Sequence, residues 1–410
     1  MAEYSADELQ APAWLGDQFF REILQTSEND PSIEILPGYE LLPATQAGDH
    51  YASIMFRTCV RYRSNRTPGE HEMNLIIKTQ PTAEGFKKEI SQGNALFVKE
   101  IKMYSEILPA MVKVLKSVGQ HLEVARLIHA SIEPHVVIVM ESLTPKGWMP
   151  GRDCITSFEE ALPTIRNIAS FHAASLYLHQ EIVDLSSNRA DDILAKGVVL
   201  TLFKKGFNEF CKAVQRWDDF EPYTKRLKVL YESFDQRLRE VYTPNPATVG
   251  YNVLNHADLN WKNIMHRKNS DGRIVDSMLI DYQCCHWGSP VLDVMNLLGL
   301  VIDNRTKTDY RNEILYEYHK HFAMLLAKMG FSGKVPSLVD LQMELLRYCF
   351  LEVFHIAVFE KYKYVKLTET TFDNYDEGNP DDPCYSNEEY CGIVRSELYS
   401  LLNKGFLDIN

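Results

Sequence analysis

In the stretch 253–265, His256 and Asp258 are separated by one residue, Asn263 follows Asp258 by five positions, and an apolar run opens at Ile264. A second acid, Asp281, closes another apolar run, Met278-Leu279-Ile280. Between these runs stands Asn269-Ser270-Asp271-Gly272, an Asp-Gly turn that predicts a hairpin over 264–281. Phosphoryl transfer needs this combination of side chains. One carboxylate orients an acceptor hydroxyl and takes its proton. A neutral amide and a second carboxylate, both hard oxygen ligands, hold Mg2+ against the phosphates of ATP. Asp258 is thus the candidate base, and Asn263 and Asp281 the candidate metal ligands.

An Asp–Asn pair five apart is also the spacing of the protein-kinase catalytic loop. Alone it is a common pairing in caps and turns. Context gives it weight. Lys78 ends the apolar run Leu75-Ile76-Ile77, and Glu100 lies on the predicted helix that follows. A strand lysine paired with a helix glutamate is the kinase device for gripping the α- and β-phosphates. Glu89, Lys99 and Lys102 are nearby competitors for that pairing, and a lysine snorkelling at the surface is the bland alternative. Gly48 and Ser53 bound a segment before the first clear strand, where a turn could aim backbone N–H groups at phosphates; one glycine is no G-x-G-x-x-G loop. Glu141 and Leu143 follow a buried-looking strand, where backbone groups could meet an adenine edge or simply form a linker.

The elements that must position these groups change character along the chain. Residues 6–25 read as an amphipathic helix through Trp14, Leu15, Phe19, Phe20, Ile23 and Leu24. Strict alternation over 52–62 predicts a half-buried strand, and the turn residues 64–69 precede a returning strand at 75–78. Helical spacing returns over 94–108, and two short strands are predicted near 122–128 and 135–140. From Ser157 the pattern is helical: 157–179, 190–215, 222–241, 291–302, 308–329 and 337–362. The fold class is therefore α+β. A small β-rich lobe with an N-terminal helix and one inserted helix spans 1–143, and a larger helical lobe with the catalytic loop and metal-binding hairpin spans 144–410. Segment 368–390, with eight acidic residues and no basic one, reads as a surface loop.

Composition narrows the function. The 410 residues are 45% hydrophobic and 24% charged, an ordinary globular balance with room for two lobes. A net charge of −13 argues against nucleic acid as a partner and against an anionic membrane surface. No apolar run is long enough to insert in a bilayer, and the acidic start, Met1-Ala2-Glu3-Tyr4, has no basic region followed by an apolar stretch. Eight cysteines without a C-x-x-C pair are neither a disulfide scaffold nor a zinc site, so a reduced, cytoplasmic protein is expected. Cys284-Cys285-His286 reads as small buried residues rather than a metal cluster, and His172 as a hydrogen-bonded core histidine.

Taken together, these motifs resemble the ecdysteroid kinase-like family of insects, relatives of choline kinases and aminoglycoside phosphotransferases. The likeness runs through Gly48-Asp49-His50-Tyr51-Ala52-Ser53, Lys78, Phe97-x-x-Glu100-x-x-x-Tyr104, Phe171-His172-Ala173-Ala174-Ser175, the segments around Asp258 and Asp281, and Gly288-Ser289-Pro290 with Leu292-Asp293. It implies a protein-kinase-like bilobal fold and ATP-dependent phosphorylation of a small-molecule alcohol with Mg2+. By position, Asp258 would be the base, Asn263 and Asp281 the metal ligands, Lys78 the phosphate-binding lysine and Glu100 its partner. Asp293, with His256, would brace the catalytic loop. Four positions depart from the family's usual residues: Ala257 stands for Gly, Asn260 for Trp, His50 for Asn and Ser142 for Asp.

Rival readings differ in what they require. A protein kinase would follow its metal aspartate with Phe-Gly, an activation loop and Ala-Pro-Glu; here Tyr282-Gln283 follows Asp281, and Asp293 comes only 12 residues later. A choline- or ethanolamine-type kinase needs carboxylates or an aromatic cage for a cation, whereas a steroid needs a wide apolar pocket. A catalytically weak kinase-fold binding protein would have lost one of the chemical groups, and all are present. The expected acceptor is an apolar alcohol such as an ecdysteroid or related xenobiotic, and no obligate protein partner is evident.

Overall fold

Apolar and polar residues alternate through Ile54–Arg63, and this segment is a strand with alternating burial. In the computed structural model of the chain, the described residues are 6–45, 53–82, 94–190, 197–218, 220–246, 248–364 and 383–408. The chain divides into two units: Met1–Pro109 with Glu123–Met149, and Ala110–Leu122 with Pro150–Asn410. The fold class is α+β, with the sheet concentrated in the first unit and most helices in the second.

The first unit is built on an antiparallel sheet. Ile54–Arg63 pairs with Glu70–Thr79, which pairs with Val137–Glu141, which pairs with Leu127–Ser131. Short strands Glu34–Ile35 and Leu42–Pro43 pair with Ile54–Arg63 from the other side. Because side chains alternate, one face presents Ile54, Phe56, Val60, Leu75, Ile77, Val137 and Val139, all buried against Phe20, Ile23 and Leu24 of the helix Asp17–Ser27. Each such side chain removed from water stabilises the unit by roughly 1.5–3 kcal/mol. Lys78 has the opposite parity and shares its register with Met55 and Ile138. The helix Ala95–Lys102 buries Leu96, Phe97 and Glu100, and widens into a π-helical turn over Met103–Ile107.

In the second unit the long helices Phe158–Glu181 and Asn304–Met329 pack on each other. Ser157 caps the first by accepting from the Glu160 N–H, and Asp303 caps the second by accepting from the Thr306 N–H. Phe158–Glu181 is buried along much of its length, from Ala161 through Ile165, Ile168 and Phe171 to Leu178, which makes it the spine of the unit. Two small strand pairs sit against it. Val253–Asn255 pairs antiparallel with His286–Gly288, and Ile264–Lys268 pairs with Ile274–Leu279. Asn269 Oδ1 accepts from the Asp271 and Arg273 N–H groups and so closes the hairpin turn. Among the aromatic residues, Phe350 and Phe354 pack with Phe207 and Phe234 in the core.

The elements differ from the sequence reading in several places. The strand expected near 122–128 lies at Leu127–Ser131, and 222–241 is two helices, Glu221–Glu232 and Phe234–Val241. Residues 6–25 form two helices, Ala6–Leu9 and Asp17–Ser27, with Pro12 and Gly16 in the break between them. Phe350–Lys363 is not one α-helix but a run of α, π and 3-10 turns. The end of the acidic segment is helical rather than loop. Glu388–Asn403 is a helix capped by Asn387, and it buries Tyr390, Cys391, Val394, Leu398 and Leu401. Residues 368–382 of that segment lie outside the described residues.

Candidate active site

In the first unit, the parity that points Ile77 into the core points Lys78 to the other face, toward Glu100. Lys78 Nζ lies 2.6 Å from Glu100 Oε2, and both side chains are almost wholly out of water. At this distance a buried ammonium and carboxylate form a charge-assisted hydrogen bond, the strong class. Lys99 and Lys102, the neighbouring competitors, are at most partly buried on the same helix, and Glu89 lies outside the described residues. Gly48 and His50 also lie outside the described residues, whereas Ser53 is buried at the entrance to its strand. Glu141 ends a strand, gives its N–H to the Arg126 carbonyl and turns its carboxylate to Lys146 at 2.9 Å. Ser142 gives its N–H to the Asn74 carbonyl, and the Leu143 side chain is buried.

In the second unit, one strand pair brackets the chemistry. The chain leaves Val253–Asn255, runs through His256, Asp258 and Asn263, makes its hairpin, passes Asp281 and returns as His286–Gly288 against the strand it left. Loop and turn are tied together at both ends. The Ile280 N–H donates to the Asn263 carbonyl at 3.0 Å, and His256 Nε2 donates to the Ile280 carbonyl at 2.8 Å. These bonds set Asp281, the next residue, beside the loop. Asp281 itself takes φ 66° and Ala257 φ 67°, the left-handed region that L residues enter at a cost of roughly 1–2 kcal/mol. Such strain persists only where the surroundings over-determine it.

Asn263 Nδ2 donates to the Asp258 carbonyl at 2.8 Å and to Asp258 Oδ2 at 2.9 Å. Asn260 Nδ2 donates to the same carbonyl at 3.0 Å, while its Oδ1 accepts the Lys262 N–H. Two amides thus fix the Asp258 carboxylate and backbone. Because the Asn263 nitrogen is committed to Asp258, Oδ1 is the atom of that side chain that can ligate a cation. Asp281 Oδ2 accepts from Gln283 Nε2 at 3.3 Å. Among the described residues no three His, Cys, Asp or Glu side chains are grouped to hold a metal. An amide oxygen and one carboxylate are instead the sparse, hard set that suits Mg2+, which keeps waters and substrate phosphates in its shell.

Asp293 anchors the loop from below. Its Oδ2 accepts the His256 N–H at 2.6 Å and Oδ1 accepts the Ala257 N–H at 2.8 Å. Oδ2 also meets His172 Nε2 at 3.0 Å. Burial pushes the Asp293 carboxyl up, but the His172 hydrogen bond, the two imidazoles beside it and the Ala257 N–H outweigh it and hold the group below the usual carboxylate range. His256 is lowered as well. Burial lowers it more than the nearby acids raise it, so it is a neutral imidazole at physiological pH. His172 is a hydrogen-bonded core histidine, as its sequence setting predicts. Cys284 and Cys285 are buried. Asn260 and Gln283, which clasp the two aspartates, have no role in the sequence reading. The signal available was an amide two residues after each acid, the spacing of local side-chain turns.

A model of the ecdysteroid kinase-like family matches residues 47–331. The chain belongs to the ecdysteroid kinase-like family. The matched span takes in Lys78, Glu100, Asp258, Asn263, Asp281 and Asp293. A search of curated proteins found no match. Among solved structures, a spectinomycin phosphotransferase in complex with ADP and spectinomycin is similar at 11% identity, covering 94% of this chain and 98% of that one, with a TM-score of 0.42. An ethanolamine kinase of Plasmodium vivax is similar at 12% identity, covering 96% and 93%, with a TM-score of 0.38. The gentamicin complex of the phosphotransferase APH(2")-IIa is similar at 14% identity, covering 94% and 96%, with a TM-score of 0.35.

Proposed function

We propose that this chain is an ATP-dependent kinase that phosphorylates a hydroxyl of a small apolar alcohol, such as an ecdysteroid or a related xenobiotic. The observation that carries this reading is the clasp in the second unit. Asn263 binds Asp258 through its amide nitrogen and receives the Ile280 N–H on its backbone, so a base, a metal-ligating amide oxygen and Asp281 share one loop-and-turn. Membership of the ecdysteroid kinase-like family supports the substrate class.

In this reading Asp258 accepts the hydroxyl proton as the alcohol oxygen attacks the γ-phosphorus in line. The bond from that phosphorus to the β,γ-bridging oxygen breaks, and ADP leaves. Asn263 Oδ1 and Asp281 are the protein's ligands to Mg2+, which when bound neutralises charge on the transferring phosphoryl group. Lys78, fixed by Glu100, supplies the cation for the α- and β-phosphates. The segment holding Ser53 covers phosphates through its backbone. Glu141 and Leu143 contribute backbone groups to the adenine, since the Glu141 side chain is turned to Lys146. Rate acceleration then comes from positioning and electrostatics rather than covalent chemistry. None of the eight cysteines is disulfide-bonded, which supports a reducing, cytoplasmic setting, and among the described residues no helix is long and apolar enough to cross a membrane.

The test is an ADP-release screen of the full chain with Mg·ATP against ecdysteroids, plant-derived alcohols, choline and ethanolamine. ADP release stimulated by the apolar alcohols is the expected result. Stimulation confined to choline or ethanolamine would replace the acceptor class, and Mg·ATP binding with no turnover on any acceptor would leave a binding protein.

A further inference from the structure

The brace beneath the catalytic loop does not end at Asp293. His172 Nε2 contacts Asp293 Oδ2 at 3.0 Å, and the opposite ring nitrogen, Nδ1, lies 2.7 Å from the Tyr318 hydroxyl. Tyr318 stands on Asn304–Met329 and His172 on Phe158–Glu181, so the two long helices meet through this contact. All three side chains are buried, with Asp293 the most exposed at 1%. Asp293 is held as a carboxylate, which can only accept, so Nε2 carries a proton and donates. Burial holds the Tyr318 phenol well above its ordinary range, so it stays O–H and can donate to Nδ1.

We propose that Tyr318 is a positioning residue for phosphoryl transfer: its hydroxyl fixes the Nε2–H tautomer of His172, which aims Asp293 at the His256 and Ala257 N–H groups and thereby sets Asp258. This rests on the kinase reading above. The chain of contacts is continuous, each link being a hydrogen bond whose donor and acceptor are assigned. The last link holds Ala257 in its left-handed conformation, one residue before Asp258. A hydroxyl on a distant helix thus acts on a residue that it does not touch.

The test combines Tyr318→Phe, His172→Gln and the double variant with two readouts. A glutamine keeps an N–H donor near the place of Nε2 but offers no ring nitrogen to Tyr318. In Tyr318→Phe, amide exchange at His256 and Ala257 is expected to speed up while exchange elsewhere on Asn304–Met329 holds. With an accepted alcohol, kcat falls about 3- to 30-fold with little change in KM for ATP. Long-range nitrogen NMR should show His172 as the Nε2–H tautomer in the wild type and a displaced Nδ1 signal in Tyr318→Phe. In the His172→Gln background, Tyr318→Phe should have almost no further effect on kcat or exchange, because the link is already cut. Additive losses in the double variant, or unchanged exchange at His256 and Ala257 in Tyr318→Phe, would overturn the proposal. Exchange and NMR need no substrate, so the proposal can fail while wild-type turnover stands. If no acceptor were phosphorylated by the wild type, the kinase reading would fail instead.

Discussion

Asp293→Asn changes one atom in a buried site, and its cost can be worked from the contacts. The carboxylate accepts from the His256 N–H, the Ala257 N–H and His172 Nε2. An amide in the same place keeps one oxygen, which can stay under His256 and His172. Its NH2 then faces the Ala257 N–H, donor against donor. One charge-assisted bond, worth about 1.5–3 kcal/mol, is lost, and a buried N–H is stranded at about 1–3 kcal/mol. The sum, about 2.5–6 kcal/mol, brackets the range for breaking a buried charged contact, and full burial means that water recovers little of it. Ala257 adds to the strain, because its positive φ is held by the bond that is lost. Urea unfolding of wild type and variant by fluorescence gives the difference directly. Amide exchange over 253–260 should rise in the variant even under native conditions. A stability change below about 1 kcal/mol with unchanged exchange would refute the claim that Asp293 holds the loop.

Three further outcomes follow from other contacts. Glu100→Gln removes the carboxylate found 2.6 Å from Lys78 Nζ and should cost about 3–5 kcal/mol and weaken ATP affinity, read by thermal melting and calorimetry; a melt within error of wild type would count against a buried pair. Gly151→Ala should destabilise by about 1–3 kcal/mol, because an added Cβ would overlap the Trp261 carbonyl oxygen while the Gly151 N–H holds the Ile264 carbonyl; chemical unfolding checks it, and a neutral effect would show that the loop can shift. Burial holds His355 at about 3 and is the largest cause of the lowered values near 4 of His266 and His321. The native state keeps these rings neutral while the unfolded chain takes up protons below pH 6.5, so stability should decline as pH falls from about 6.5 toward 4. His355 alone contributes up to ~1.4 kcal/mol per pH unit, and a urea midpoint that stays flat from pH 7 to 5 would contradict this.

Where local pattern and tertiary role coincide, the sequence could be read directly. Alternation through Ile54–Arg63, the apolar run Leu75-Ile76-Ile77 and the Asp-Gly turn between Ile264–Lys268 and Ile274–Leu279 each encode one element whose burial is set by neighbours close in sequence. The same holds for Lys78 and Glu100, since strand parity and helix face decide where each points. Other features depend on contacts that no window contains. Val253–Asn255 is a strand only because His286–Gly288 returns to pair with it, and three residues carry no period of their own. The left-handed Ala257 and Asp281 occupy a conformation that their residue types disfavour, so only the surrounding hydrogen bonds explain it. Tyr318 reads as one more apolar position on a long helix, because its hydroxyl partner lies 146 positions away. The helix Glu388–Asn403 was readable in principle from Tyr390, Val394, Leu398 and Leu401, but the acidic, proline-containing run before it suggested loop.

As the proposed base, Asp258 takes up a proton during phosphoryl transfer to an alcohol. The direct measurement is mass spectrometry of the acceptor after incubation with Mg·ATP and either wild type or Asp258→Asn, with Mg·ATP affinity measured for both by calorimetry. The expected result is an alcohol gaining one phosphate with the wild type, and about 10²–10⁴-fold less product from the variant at nearly unchanged affinity. Product formed at the wild-type rate by Asp258→Asn would contradict it.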